Sequence, residues 1–156
     1  NDPEAVDRAL LASLPPSVAS ILRPIEIETI DPRYGFDLVL TGYWLDGDAP
    51  AQDLMTARQI VGFCMAPPTE TTIKGELARL RVSTKSRAEL DDDLAMGFQV
   101  LAEECAEYPA DVVVWALRGW AGREVFYPSL AEVRDLLQRG AKKRRLLEAA
   151  LAEFGL

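Results

Sequence analysis

Residues 108–130 read Y-P-A-D-V-V-V-W-A-L-R-G-W-A-G-R-E-V-F-Y-P-S-L, and they hold two of the three tryptophans in the chain. Proline is tolerated in the first turn of a helix, so we expect a helix with Pro109 in its first turn. The apolar residues that follow recur at the spacing of one helix face: Val112, Val113, Ala116, Leu117 and Trp120. Gly119 and Gly122 each weaken a helix by about 1 kcal/mol relative to alanine, which places its expected end near Gly122.

Four large aromatic side chains stand on and after this helix, at Trp115, Trp120, Phe126 and Tyr127. Each buries roughly 150–250 Å² when it packs, which is worth about 4–6 kcal/mol before opposing terms. We expect them to form a hinge in the core on which two helices pack, with Phe126 and Tyr127 as an apolar plug. The alternative is a hot spot for binding a partner, because such sites are rich in tryptophan and tyrosine.

A second helix is predicted after this corner. Ser129 and Glu132 have the spacing of a capping box, in which each residue covers a free backbone amide of the other. The predicted helix then carries apolar residues at Val133, Leu137, Leu147, Leu151 and Phe154, with an expected break at Gly140. Their spacing is close to a heptad seam, which Gly140 and Arg144 interrupt. Docking within the chain is therefore favoured, and a homo-oligomer through this helix stays an alternative.

Amphipathic helices are also predicted upstream, over residues 51–65, 69–82 and 86–107. The last of these opens with another capping-box pattern at Ser86 and has the most regular apolar face in the chain. Its acidic residues are expected to form a solvated face.

The first fifty residues give mixed signals. Asp2 and Pro3 predict a helix start, and Ser17 is expected to cap a short second helix. Residues 25–30 alternate in the manner of a strand, which predicts either an extended arm or a hairpin with residues 37–44. The turn at 46–50 suggests two parts, with residues 1–50 as a mixed N-terminal segment and residues 51–156 as a helical body. The predicted class is mainly α, a bundle or a set of orthogonal helices, with a short strand or hairpin near the N-terminus.

Composition limits the chemistry. The chain has no histidine, which excludes serine–histidine and cysteine–histidine pairs and most zinc sites. Cys64 and Cys105 lie in apolar helical contexts and are expected to be buried free thiols. We therefore predict a non-enzymatic protein without catalytic residues, metal or cofactor. The absence of a long apolar run and of signal-peptide character predicts a cytoplasmic protein that does not contact membranes.

A basic run stands out in a chain whose net charge is −8. It places five cations within seven residues: Arg139, Lys142, Lys143, Arg144 and Arg145. A solvated helix face is the ordinary explanation, and contact with nucleic acid or a protein partner is the functional one. Five phosphate contacts would give a slope of about −4.5 in a plot of log affinity against log salt concentration.

The second half of the chain carries three stretches that resemble a known group of proteins. Residues 77–89 read L-A-R-L-R-V-S-T-K-S-R-A-E, residues 101–113 read L-A-E-E-C-A-E-Y-P-A-D-V-V, and residues 116–133 contain A-L-R-G-W and F-Y-P-S-L-A-E-V. These stretches resemble small helical proteins of prophages and mobile elements, in particular helicase-loader or replisome-organiser domains. Because no ATP-binding loop is present, the resemblance implies an ATP-independent adaptor in DNA replication whose partner is a replicative helicase.

Under this resemblance the four aromatic residues would form the hinge, and residues 139–145 would contact helicase or weakly contact DNA. The alternative function is an acidic inhibitor of restriction or defence systems. Its carboxylates, in the N-terminal segment and on the helix that starts at Ser86, would imitate the phosphates of DNA.

Overall fold

The computed structural model describes residues 2–33, 35–85 and 91–153, with side chains throughout except at 91–94. Its elements in chain order are α1 (Pro3–Ser13), α2 (Pro16–Ala19), β1 (Leu22–Asp31), β2 (Gly35–Leu45), α3 (Ala51–Cys64), α4 (Glu70–Ser83), α5 (Asp91–Cys105), α6 (Ala110–Arg123) and α7 (Leu130–Ala152). The described residues are mainly helical with a two-stranded antiparallel sheet, which confirms the predicted class. The bundle or orthogonal arrangement stays a prediction. None of the helices in these ranges combines the length and apolarity needed to cross a bilayer.

The chain divides into two compact units. Unit 1 contains Asn1–Val6 and Met65–Ala141, and unit 2 contains Asp7–Cys64 and Lys142–Leu156. This division differs from the predicted one at residues 46–50, because α3 belongs with the elements before it. Within unit 2 the Ser17 hydroxyl of α2 donates a hydrogen bond of 2.6 Å to the Asp53 carboxylate of α3.

Unit 1 is organised around the stretch at residues 108–130. Its buried residues come from α4, α5, α6, the first half of α7 and the turn before α6: Ile73, Leu77, Leu80, Leu101, Cys105, Tyr108, Val112, Val113, Ala116, Leu117, Trp120, Val133, Leu136, Leu137 and Ala141. All five apolar positions predicted for the face of α6 are in this core. Helix α6 ends at Arg123, next to the expected end at Gly122, and Pro109 is its N-cap rather than a residue of its first turn.

The capping box before α7 is confirmed. The backbone amide of Ser129 donates to Glu132 Oε1 at 3.0 Å, and the amide of Glu132 donates to Ser129 Oγ at 3.2 Å. The predicted break at Gly140 is wrong, because α7 is one continuous helix from Leu130 to Ala152. Gly140 has a different role. A Cβ at this position would lie 2.7 Å from Val112 Cγ1 and 3.2 Å from Trp115 Cζ3, so glycine allows α7 to approach α6.

The other predicted helix starts have mixed outcomes. Asp2 accepts a hydrogen bond of 3.0 Å from the Glu4 amide, and Thr69 accepts one of 3.2 Å from the Thr72 amide at the start of α4. Ser17 is not a cap, because α2 already begins at Pro16 and Pro15 is its N-cap. The capping-box pattern predicted at Ser86 lies outside the described residues.

The strand predicted at residues 25–30 is part of a hairpin, so the hairpin is the alternative that the structure confirms. Strand β1 pairs antiparallel with β2, with Leu22 opposite Leu45 at one end and Asp31 opposite Gly35 at the other. A bulge follows Ile25. Gly35 adopts a φ of 81° where β2 begins, a backbone conformation that residues with a side chain rarely adopt. Residues 34–45 could not be assigned from the sequence because nearly every position is apolar, and most of them form β2.

Candidate partner-binding surface

One member of the basic run lies in the interior. The Arg144 side chain is fully buried in unit 2, where its Nε donates to Asp7 Oδ1 at 2.7 Å. Its Nη1 also donates to the carbonyl of Cys64, the last residue of α3, at 3.0 Å. An exposed contact residue was expected here, and the structure corrects this: Arg144 joins α7 to α1 and α3. Sequence reasoning missed Asp7, because an acid on an amphipathic helix ordinarily indicates a solvated face.

The other four cations are placed differently from one another. Arg139 forms an ion pair of 2.8 Å with Asp135 one turn earlier on α7. Lys142 and Lys143 are exposed, and Arg145 is half-buried. The run therefore presents fewer exposed cations than its sequence indicates. Contact of these four residues with nucleic acid or a partner stays a prediction.

The four aromatic residues of the predicted hinge also differ in how deeply they are buried. Trp120 is buried in the core of unit 1, and its Nε1 donates to the Phe126 carbonyl at 2.7 Å. Trp115 and Tyr127 pack against the edge of that core. Phe126 is 48% exposed, so the expected apolar plug includes Tyr127 but not Phe126. Burial raises the pKa of the Tyr127 phenol.

Several carboxylates are held by arginines within unit 1. Glu104 accepts two hydrogen bonds from Arg134, at 2.9 and 3.2 Å, and Glu76 accepts two from Arg118, at 2.8 and 3.2 Å. Such paired geometry fits a structural role for these acids. Over the described residues no three acidic or cysteine side chains are grouped as a metal site would require.

The two cysteines are free thiols. Cys105 is fully buried, and burial followed by the charge of Glu104 raises the pKa of its thiol to about 12. A nucleophilic cysteine needs a lowered pKa and an accessible sulfur, and Cys105 has neither. Cys64 is half-buried at the end of α3.

The β1–β2 hairpin of unit 2 exposes an unusual amount of apolar surface. Ile30 and Phe36 are each 77% exposed, Leu38 is 60% exposed and Ile27 is 50% exposed. Ile25 and Trp44 are exposed as well. The hairpin therefore holds six of the twelve exposed large apolar residues that the structure describes. Contiguous exposed apolar surface on a folded protein usually marks an interaction site.

Cross-strand pairing assigns these side chains to two faces. The first, which we name the cleft face, carries Leu22, Pro24, Glu26, Glu28, Ile30, Phe36, Leu38, Leu40, Tyr43 and Leu45. The second, which we name the open face, carries Arg23, Ile25, Ile27, Thr29, Asp31, Asp37, Val39 and Trp44. Both faces of β2 are mainly apolar, and Asp37 on the open face is its one charged residue. A strand of this kind is normally covered on both sides, and β2 is covered in part only.

A cleft of about 550 Å³ borders the cleft face within unit 2. Leu11 of α1 and Leu14, which directly follows that helix, contribute to its wall. Lys143 of α7 contributes the one cation among its lining residues. Glu26 and Tyr43 are the polar groups on the strand side. Burial, followed by the charges of Asp7 and Glu26, raises the pKa of Tyr43. The cleft is large enough for several side chains of a bound partner.

The hairpin was missed as a site for a specific reason. Continuous apolar sequence over residues 36–45 is the usual signal of a buried strand, and the sequence alone does not show whether the cover is supplied by the same chain. No family model, curated protein or solved structure shows significant similarity to this chain.

Proposed function

We propose that this chain is a non-enzymatic adaptor that binds another protein through the exposed surface of its hairpin. The observation that carries the proposal is the apolar surface on both faces of β2, at Phe36 and Leu38 on one side and Trp44 on the other. At about 25 cal/mol per Å² of apolar area removed from water, covering these side chains favours association.

The finer form of the proposal is an adaptor in DNA replication, with a replicative helicase as the partner. Its support is the resemblance of the second half of the chain to helicase-loader or replisome-organiser domains of prophages and mobile elements. The exposed lysines Lys142 and Lys143 would bring the complex near DNA, while Arg144 is committed to Asp7. A homo-oligomer and a weak nucleic-acid contact are secondary parts of this proposal.

Two triple variants test the hairpin. The hairpin variant combines Ile30→Thr, Phe36→Thr and Leu38→Thr, since threonine is well suited to strands. The control variant combines Phe63→Gln, Val82→Gln and Met96→Gln, three exposed apolar residues on helices α3, α4 and α5. Both sets remove exposed apolar surface, and they differ in whether that surface belongs to the hairpin.

Each tagged protein would be incubated with bacterial lysate treated with nuclease, and then with the purified replicative helicase. Retention of helicase by the wild type and the control variant, but not by the hairpin variant, supports the proposal. Equal retention by the hairpin variant would place the binding surface elsewhere. Retention of a restriction or defence complex instead of helicase would favour the acidic inhibitor.

A further inference from the structure

The outer edge of β2 has no strand beside it. In the part of the chain that the structure describes, β2 pairs with β1 alone. Each strand of a two-stranded ladder points half of its backbone N–H and C=O groups away from its partner. An eleven-residue strand therefore offers a row of backbone donors and acceptors along one side.

The two edges of the hairpin differ in how well they are protected. Strand β1 carries Pro24, Glu26 and Glu28, and proline and charge are devices that prevent strands from adding to an edge. Strand β2 has no proline and no lysine, and Asp37 is its one charged residue. The sequence protects the β1 edge and leaves the β2 edge open, as expected if a strand adds there.

Charge indicates what that strand carries. Residues 22–45 hold four acids and two arginines, a net charge of −2. Glu26 and Glu28 lie on the cleft face directly opposite Leu40 and Leu38. A lysine or arginine on a strand beside β2 would lay its aliphatic stem across these leucines and bring its charge toward the two glutamates.

On the open face, the added strand would need side chains of a different kind. Val39 and Trp44 of β2 lie there with Ile25 and Ile27 of β1, together with Arg23 near one end of the hairpin and Asp31 and Asp37 near the other. Apolar residues of an added strand would extend the apolar part of this face. Because side chains alternate between faces, basic residues on one face and apolar residues on the other give an alternating sequence. A second copy of β2 does not fit, because it has no basic residue between positions 35 and 45.

From the unprotected β2 edge and these charges, we propose that the partner binds by adding an extended segment of alternating basic and apolar residues alongside β2. This rests on the proposed adaptor function and specifies its mode. Main-chain hydrogen bonds provide the affinity, and the two glutamates with the open face select the sequence.

The probe is a short synthetic peptide of alternating lysine and valine with blocked ends. Its comparisons are a peptide alternating glutamate and valine, a peptide of the same composition with the lysines grouped together, and an alternating peptide with methylated backbone nitrogens. Binding would be measured by fluorescence anisotropy at low salt. Hydrogen exchange of the full chain would show which strand gains protection.

The expected result is binding of the alternating lysine peptide alone, with amides of β2 gaining protection and those of β1 unchanged. The Glu26→Gln/Glu28→Gln double variant should weaken binding about two- to thirtyfold, the effect of losing two exposed ion pairs. As a matched control, Glu148→Gln/Glu153→Gln removes two acids from outside the hairpin and should leave affinity unchanged.

Four outcomes would overturn the proposal. Equal binding of the methylated peptide would exclude main-chain pairing, and equal binding of the glutamate peptide would exclude the charge argument. Self-association of the free chain that Leu38→Lys abolishes would assign the edge to a second copy. If the peptide fails while the hairpin triple variant still loses helicase, the adaptor proposal stands and strand addition fails.

Discussion

Arg144 shows how one residue can change role between sequence and structure. A guanidinium removed from water needs a charged partner and further hydrogen bonds, and Asp7 and the Cys64 carbonyl supply them at 2.7 and 3.0 Å. Helix α3 ends at Cys64, so the cation also meets one of the carbonyls that a helix leaves free at its C-terminus. The residue is therefore a link between three helices.

Arg144→Ala should lower the free energy of unfolding by about 3–5 kcal/mol, because it leaves Asp7 buried without its partner. Arg139→Ala is the matched control on the same helix. Its ion pair with Asp135 is exposed, so the expected loss is below about 1 kcal/mol. Urea denaturation followed by circular dichroism measures both, and equal losses would contradict the structural role of Arg144.

The Cys105 thiol gives a prediction on pH. Its pKa is about 12 in the folded chain against an ordinary value of 9.0. Between these values the unfolded chain loses this proton and the folded chain keeps it, so stability is complete below about pH 9 and falls as pH rises toward 12. Unfolding by urea at several pH values should show a shallower decline in Cys105→Ala than in the wild type. Parallel declines would disprove the shift.

At the level of elements, α6 and α7 depend on a close approach. The space that a side chain at Gly140 would occupy is taken by Val112 and Trp115, both of α6. Glycine in a helix is ordinarily unfavourable, which weakens the local helix propensity of α7. The packing of Trp115 against Gly140 compensates for this loss.

Gly140→Ala should destabilise the chain by about 1–3 kcal/mol, because the added methyl group overlaps Val112 Cγ1. Gly75→Ala is the control. It lies within α4, where an added Cβ has no neighbour within 4 Å, and it should stabilise by about 0.5–1 kcal/mol. Thermal unfolding would compare the two. Stabilisation by both variants would show that α6 and α7 accommodate a methyl group at position 140 without loss of stability.

At the scale of the whole molecule, charge opposes contact with nucleic acid. The net charge is −8, and the burial of Arg144 reduces the basic run to at most four cations that can meet phosphate. The chain therefore has little long-range attraction for DNA, which makes a protein the main partner in the proposed function.

Binding to duplex DNA should accordingly be weak, with a log–log salt slope no steeper than about −3.6 for four contacts. Fluorescence anisotropy between low and physiological salt would measure it, with Lys142→Ala/Lys143→Ala expected to make the slope shallower by about 1.8. A slope of about −4.5 would contradict this expectation, because it requires a fifth phosphate contact.

The sequence by itself determined the features that depend on local chemistry. The face of α6, the capping box at Ser129 and the mainly α class follow from spacing and from hydrogen bonds between near neighbours. The strand at residues 25–30 was visible for the same reason, because alternation is a property of the strand alone.

Only the tertiary structure decided which polar residues are interior and which apolar residues are not. Asp7 and Arg144 are 137 positions apart, and no local pattern indicates that one will neutralise the other. Gly140 looked like a helix break because its partners lie on another helix. Strand β2 looked like a buried strand, and its exposure depends on what the rest of the chain leaves uncovered. Burial is set by contacts distant in sequence, and periodicity does not encode them.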